Sequence, residues 1–427
     1  MDSNLFGLVV ILLLIIVNLI IIFRRIGTIN IPAWMAFISA AGILLVLNPD
    51  HLIIAEQVLV DQIDVFMFLF GFFVIVTALD LSGVLENVSK YLSSKAKTGN
   101  DLLLIIHFGF GLLASVLIND TIAILGPVIL IFIAKYLQKD AKPFVLAVAF
   151  ALTFGSALLP SGNPQNFILA TGGNVNFIEF ALFALIPTLL SLTGSYIVLR
   201  IYYKNVFNGT IYEPFPFIPE KSEYQQLSLP AIIAVICALL GMIISSLVNS
   251  PLGYPVIIIA IILLLQTKFR LKLLFKLDWG VLAFFAGMFI LIDAVSNSVL
   301  LYPFLESFFS NLSNDFGSYF LLIVFSFILS QFISNVSTAV IIDQFLPNSG
   351  IDYVIFWMGA ALATTFAGSM TIMGAASNII VLETSAKRGL KITWWEFIRV
   401  GILISIISFI ILTGYGFIFF MISINLY

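Results

Sequence analysis

Pro160-Ser161-Gly162-Asn163-Pro164-Gln165-Asn166 interrupts a long apolar run, and Gly374-Ala375-Ala376-Ser377-Asn378 interrupts another at the matching place later in the chain. Asn166 and Asn378 lie 212 positions apart. Upstream of each interruption stands a second polar motif. Ile118-Asn119-Asp120-Thr121 recurs as Ser334-Asn335-Val336-Ser337-Thr338, with Asn119 and Asn335 separated by 216 positions. Helix-breaking, amide-rich segments are costly in lipid unless they are buried in protein or line a cavity. Two copies in matching places are the pattern of a carrier whose solute site lies between two halves.

The surrounding composition is membrane-grade. The chain has 427 residues, of which 61% are apolar and 10% charged, whereas a soluble domain carries about 25% charge. Many of its apolar runs approach or exceed the roughly 20 residues that a bilayer crossing requires. Cys237 is the only cysteine, which excludes an intrachain disulfide and a paired-thiol metal site. Residues 4–23 have no positive region before them and no small-residue cleavage site, so they read as a retained span. The 42 phenylalanines are expected to coat lipid-facing helix surfaces.

Lysine and arginine set the expected orientation. Arg24 and Arg25 follow the first span, and Lys90, Lys95 and Lys97 precede residue 101. Further clusters fall at Lys135, Lys139 and Lys142, at Arg200 and Lys204, at Lys268 to Lys276, and at Lys387 to Lys391. With all of them cytoplasmic, both termini lie outside a multi-pass plasma-membrane protein. Segment 101–135 then starts and ends inside and turns at Asn119-Asp120, which reads as a re-entrant hairpin with arms mostly below spanning length. Segment 317–347 reads as its counterpart entering from outside, because Leu277 to Ala386 contains no Lys, Arg or His.

The expected fold is an all-α polytopic membrane protein of two inverted repeats, each with five transmembrane helices and one re-entrant hairpin. The first repeat is 1–200, with hairpin 101–135 and broken helix 143–171. The second is 227–427, with hairpin 317–347 and broken helix 351–384. A cytoplasmic linker, 201–226, joins them and contains Glu213-Pro214-Phe215-Pro216, which cannot continue a helix.

A broken helix exposes amides at one half-helix N-terminus, which attract anions, and carbonyls at the end of the other, which suit Na⁺. The candidate solute site is therefore Asn119, Thr121, Gly162, Asn163, Asn166, Ser334, Asn335, Ser337, Thr338, Thr371, Gly374, Ser377 and Asn378. Asp120 is the candidate coupling group for H⁺ or Na⁺: a carboxylate at membrane depth needs a partner or a proton, and its repeat mate is Val336. Asp343 and Asp293 are weaker candidates for the same role. His51 reads as an outer loop residue and His107 as a packed hairpin residue. No catalytic residue, metal site, cofactor or nucleic-acid partner is expected, and no phosphate-binding loop is present.

At these motifs the chain resembles the ion transporter superfamily, and within it the arsenite permease/NhaD-like and divalent-anion symporter group. The resemblance rests on Asn119-Asp120-Thr121 with Gly126-Pro127, Gly155 to Asn166, Ser334-Asn335 to Thr338, and Gly368 to Asn378. It implies a homodimer with a scaffold domain and a mobile transport domain that works as an elevator. The carboxylate-transporting branch carries Ser-Asn-Thr at both tips. The Asn-Asp pair here is more similar to the arsenite permease branch, which implies proton coupling and, in its pump form, a soluble ATPase partner. The reading is a secondary active permease for a small oxyanion or metalloid acid of the arsenite or antimonite kind. The alternatives are an H⁺- or Na⁺-coupled uptake symporter for carboxylates or inorganic anions, a Na⁺/H⁺ antiporter, and a membrane-embedded enzyme or assembly subunit.

Overall fold

Within lipid a chain satisfies its amides inside its own segments, and helices account for nearly all regular structure here. The computed structural model describes the whole chain except residues 1, 2, 24, 27, 28, 118, 208–221, 352 and 425–427. The first half opens with α1 (Ser3–Phe23), a two-residue ladder of β1 (Arg25–Ile26) with β2 (Ile29–Asn30), α2 (Ala33–Leu47), α3 (His51–Asp61), α4 (Ile63–Leu81) and α5 (Val84–Ser94). Its hairpin is α6 (Gly99–Leu104), a π-helical turn (Ile105–Phe110) and α7 (Gly111–Val116), then α8 (Asn119–Tyr136). The interrupted helix is α9 (Lys142–Gly155) and α10 (Pro164–Gly172), and α11 (Phe177–Tyr202) and α12 (Lys204–Phe207) close the half.

The second half repeats this order. It runs through α13 (Ser228–Leu247), α14 (Gly253–Gln266), α15 (Arg270–Lys276), α16 (Trp279–Ser296) and α17 (Tyr302–Ser310). The hairpin is α18 (Phe316–Ile333) and α19 (Asn335–Phe345), the interrupted helix is α20 (Val354–Ala367) and α21 (Ala376–Lys387), and α22 (Trp394–Ile424) ends the fold. Among the described residues, eight helices are long and apolar enough to cross a membrane.

Packing between the halves is reciprocal. Helix α2 packs on α16 and α4 on α14; the second hairpin arm of each half, α8 or α19, packs on the far piece of the other half's interrupted helix, α21 or α10. Two glycines 216 positions apart allow the first pair of contacts. A Cβ at Gly71 would lie 2.9 Å from the Val256 backbone, and one at Gly287 would lie 2.6 Å from that of Phe37. Lys142 Nζ meets Glu396 Oε1 at 2.5 Å, so the lysine clusters that begin α9 and precede α22 share one end of the molecule.

Two expectations change. The hairpin arms are longer than the apolar runs suggested: Gly99–Val116, α8 and α18 each span 18 residues, and only α19, with 11, is short. A capping box starts the first arm early, because Thr98 accepts from the Asp101 amide and Asp101 accepts from that of Thr98. The polar motif from Asn119 onward is the first turn of α8. Secondly, the phenylalanines are not chiefly a lipid coat. Eleven of the twelve largest fully buried side chains are Phe, while Leu and Ile dominate the exposed apolar surface. Water exclusion gives no sorting in lipid, so large rings go where shape and ring contacts between helices favour them.

Candidate functional site

The two interruptions need polar partners because proline and glycine leave carbonyls without intrahelical donors. At the first, Asn166 Nδ2 donates to the carbonyls of Ser156, Ala157 and Leu159 at 3.1, 3.3 and 3.2 Å. At the second, Asn378 Nδ2 donates to those of Gly368 and Thr371 at 2.7 and 3.2 Å. Ser156 and Leu159 stand 212 positions before Gly368 and Thr371, so the two amides do the same task in both halves. Asn163 caps α10, its Oδ1 accepting from the Asn166 amide at 2.8 Å, while its Nδ2 reaches Ser156.

Thr365 joins the halves. Its Oγ1 accepts from Asn163 Nδ2 at 3.3 Å and Gln165 Nε2 at 3.1 Å, and donates to Asn166 Oδ1 at 2.9 Å. Gln331, on the second hairpin, donates to the Ala367 carbonyl at 2.9 Å and accepts from Thr371 Oγ1 at 3.0 Å. That side chain fastens the hairpin to the second interruption. Its tip is one residue, Ser334, held at φ +77° and ψ 156°, a region that glycine alone enters freely. Its hydroxyl donates to Ser337 Oγ and accepts from the Ser337 amide, and its carbonyl accepts from Thr338 Oγ1 at 2.9 Å.

Both tips and both interruptions meet around a cavity of about 260 Å³. Its polar end is Asn119, Gln165, Gln331, Ser334, Asn335 and Ser377. Across it, Asn119 Nδ2 donates to Ser377 Oγ at 3.5 Å, first tip to second interruption. From there the cavity runs between Trp34 and Phe37 of α2 and Phe284 and Phe285 of α16, as far as the exposed Asp278. Asp278 carries the only formal charge among the described lining residues, which include no Lys, Arg or His.

Of the residues singled out from sequence, Asn119, Ser334, Asn335 and Ser377 line the cavity. Gly162, Asn163, Asn166, Ser337, Thr338, Thr371, Gly374 and Asn378 stand behind that lining, most of them bracing the interruptions or the tip. The side chains of Asp120 and Thr121 fall outside the described residues. Asp343 and Asp293 are not in the lining. Asp343 lies against Gly172 and is hydrogen-bonded by Gln62. Asp293 Oδ1 accepts from Asn297 Nδ2 at 2.9 Å and Gln344 Nε2 at 3.3 Å. His107 is packed, its Nε2 3.0 Å from Ser195 Oγ, and His51 begins α3 beside Phe6. No cluster of metal-ligand type occurs among the described residues. Sequence reading passed over Gln165 and Gln331 as lining residues. Gln165 carried a signal, since it stands 212 positions before Ser377; Gln331 carried none.

A family model described as citrate transporter matches residues 3–363. The chain belongs to this citrate transporter family. Its relatives include a 46 kDa membrane protein of Mycobacterium leprae, 26% identical over 91% of this chain and 94% of that one. The silicon efflux transporter LSI3 of Oryza sativa is 22% identical over 78% and 82%. A putative transporter arsB of Dictyostelium discoideum is 28% identical over 33% of this chain and 25% of its own length. Among solved structures, the Alcanivorax borkumensis YdaH transporter, whose topology is described as unusual, superposes with a TM-score of 0.56 over 97% of each chain at 13% identity. That likeness is one of fold. The family member is thus a polytopic secondary transporter of the membrane, not an enzyme.

Proposed function

We propose that this transporter carries a small, polyhydroxylated acid that is uncharged or weakly charged near neutral pH, of the arsenite, antimonite or silicic acid kind. The observation that carries the reading is the neutral lining: amides and hydroxyls from both tips and both interruptions, with no cationic side chain among the described residues. A hydroxylated neutral solute finds both donors and acceptors there. A trianion such as citrate would be desolvated with no positive partner, which is costly in a low-dielectric site. The names of the silicon and arsB relatives support this solute class. The family description favours a second reading, citrate or a related carboxylate; with no cationic side chain in the described lining, such an anion would need a cation carried with it.

In this reading the halves are inverted repeats, and the end bearing Lys268 to Lys276 faces the cytoplasm. The inversion is supported by the reciprocal packing of α2 with α16 and α4 with α14, the sidedness by the lysine distribution. Asp120, beside the lining residue Asn119, takes the proton that drives transport. Purified protein in liposomes, with an imposed proton gradient and a panel of arsenite, antimonite, silicic acid, phosphate, sulfate, citrate and Na⁺, tests all of this. Gradient-driven flux of a metalloid acid, made pH-independent by Asp120→Asn, is expected. Flux of citrate alone, only in the presence of a divalent cation, would move the assignment to the second reading.

A further inference from the structure

The cavity extends to the exposed Asp278 at one end of a pathway that the fold builds twice. Phe68 on α4 stacks on Phe167 on α10, with ring centroids 4.0 Å apart and planes 17° from parallel, and both rings are fully buried. One turn before Phe68, Asp64 Oδ1 accepts from the Gly253 amide at 2.8 Å and ties α4 to the start of α14. These contacts fill the route from the tips toward the end that carries α3.

The offsets that relate the tips and the interruptions give each of these residues a counterpart. Phe284 stands 216 positions after Phe68, Ile379 stands 212 after Phe167, and Gly280 stands 216 after Asp64. All three line the cavity. Phe284 turns its ring edge-on to Phe37, at 4.8 Å, rather than closing on α21. Gly280 faces Trp34 where Asp64 faces Gly253. Helix α10 thus packs on α4 at one end, whereas at the other the two counterpart positions both line the cavity.

We infer that Phe68 with Phe167 is a shut gate on the α3 side, and that Phe284 with Ile379 is the equivalent gate, open, on the α15 side. The inference rests on the permease reading. Transport then requires α10 to part from α4 as α21 closes on α16, so that one gate shuts before the other opens. A two-state exchange of this kind is biased by whichever contact is stronger. Stacked aromatic rings at one gate against a Phe–Ile pair at the other hold the resting protein open toward α15.

The first test is an accessibility measurement that needs no knowledge of the solute. A reporter, Ala376→Cys, is placed in the cavity in a Cys237→Ser background, and a membrane-impermeant maleimide is applied to intact cells and to inverted vesicles. Labelling is expected from the α15 face and absent from the α3 face. Adding Phe68→Ala with Phe167→Ala should open labelling from the α3 face while retaining it from the α15 face, which also reports that the variant folds. Equal labelling from both faces with the rings intact overturns the inference, as does unchanged labelling after their removal. Should the double alanine variant not fold, Phe68→Cys with Phe167→Cys decides. Oxidative cross-linking should confine labelling to the α15 face and abolish flux, with recovery on reduction. Normal flux through the cross-linked protein overturns the gate. An incorrect solute class leaves the labelling arms unaffected.

Discussion

At the first interruption Asn166 spans three carbonyls, and its own Oδ1 accepts from Thr365; at the second, Asn378 spans two carbonyls and its Oδ1 has no hydrogen-bond partner. The first is nearly sealed, with Pro160 to Asn166 buried throughout, whereas Met370 to Met373 are part-exposed and Ala376 is open. Asn163 caps α10, but its counterpart Ala375 offers α21 no side-chain cap. The halves therefore share a shape and differ in saturation. The saturated interruption works as a strut. The unsaturated one borrows Gln331 from the hairpin and borders the cavity through Met373, Ala375, Ala376 and Ser377.

The largest difference between the halves is expected at Thr365. Thr365→Val removes a partner from Asn163, Gln165 and Asn166 at once and leaves the buried Asn166 Oδ1 without a donor, at a cost of about 1–3 kcal/mol. Its counterpart Thr153 donates only to the Ala149 carbonyl of its own helix, so Thr153→Val should cost less than about 1 kcal/mol. Thermal unfolding in detergent reads both, and equal losses would deny the strut. A smaller difference is expected between Asn166→Ala and Asn378→Ala, the first exceeding the second by about 1–2 kcal/mol because it abandons more buried partners. Saturating amounts of a transported solute should raise the melting temperature of both variants, since a ligand of the native form stabilises it.

At the second tip, Ser334→Gly should be close to neutral. It relieves backbone strain of about 1–3 kcal/mol and gives up a cap of about 0.5–2 kcal/mol. Ser334→Ala keeps the strain and loses the cap, so it should lower the melting temperature where glycine does not. The same order from both variants would mean that Ser334 is unstrained in solution.

The smallest effect is expected where the hairpins begin. Asp315 caps α18 by accepting from the Ser318 amide at 2.8 Å, and the Ser313 hydroxyl, with that amide, holds its carboxyl below the ordinary value of 3.8. A depressed folded-state value contributes stability that is present above the ordinary value and lost as pH falls through the folded one. A slight extra loss of melting temperature in acid, absent from Asp315→Asn, is the expected signature.

Much of the site was legible because its motifs violate the rule for their surroundings. Asn119, Ser334, Asn335 and Ser377 were visible as polar residues at matched offsets inside apolar runs, and polarity in lipid needs a reason. The bracing role of Asn163, Asn166 and Asn378 was not legible. An amide that lines a cavity and one that satisfies a broken helix have the same composition and differ only in which atoms surround them. Gln331 was hidden for a related reason: its partners, Ala367 and Thr371, lie 36 and 40 positions away, and its counterpart Ser115 is no amide.

Membrane class, the repeated order of elements and the matched spacing of tips and interruptions follow from the amino-acid sequence, because apolar length and proline or glycine breaks act locally along the chain. Only the tertiary structure decided which amides face the cavity, which end of the pathway is shut, and where the phenylalanines go. Those outcomes depend on how helices from the two halves pack across one another. Phe68 stacks on Phe167 while their counterparts Phe284 and Ile379 line the cavity, a difference set both by the missing second ring and by the position of the helices that carry them.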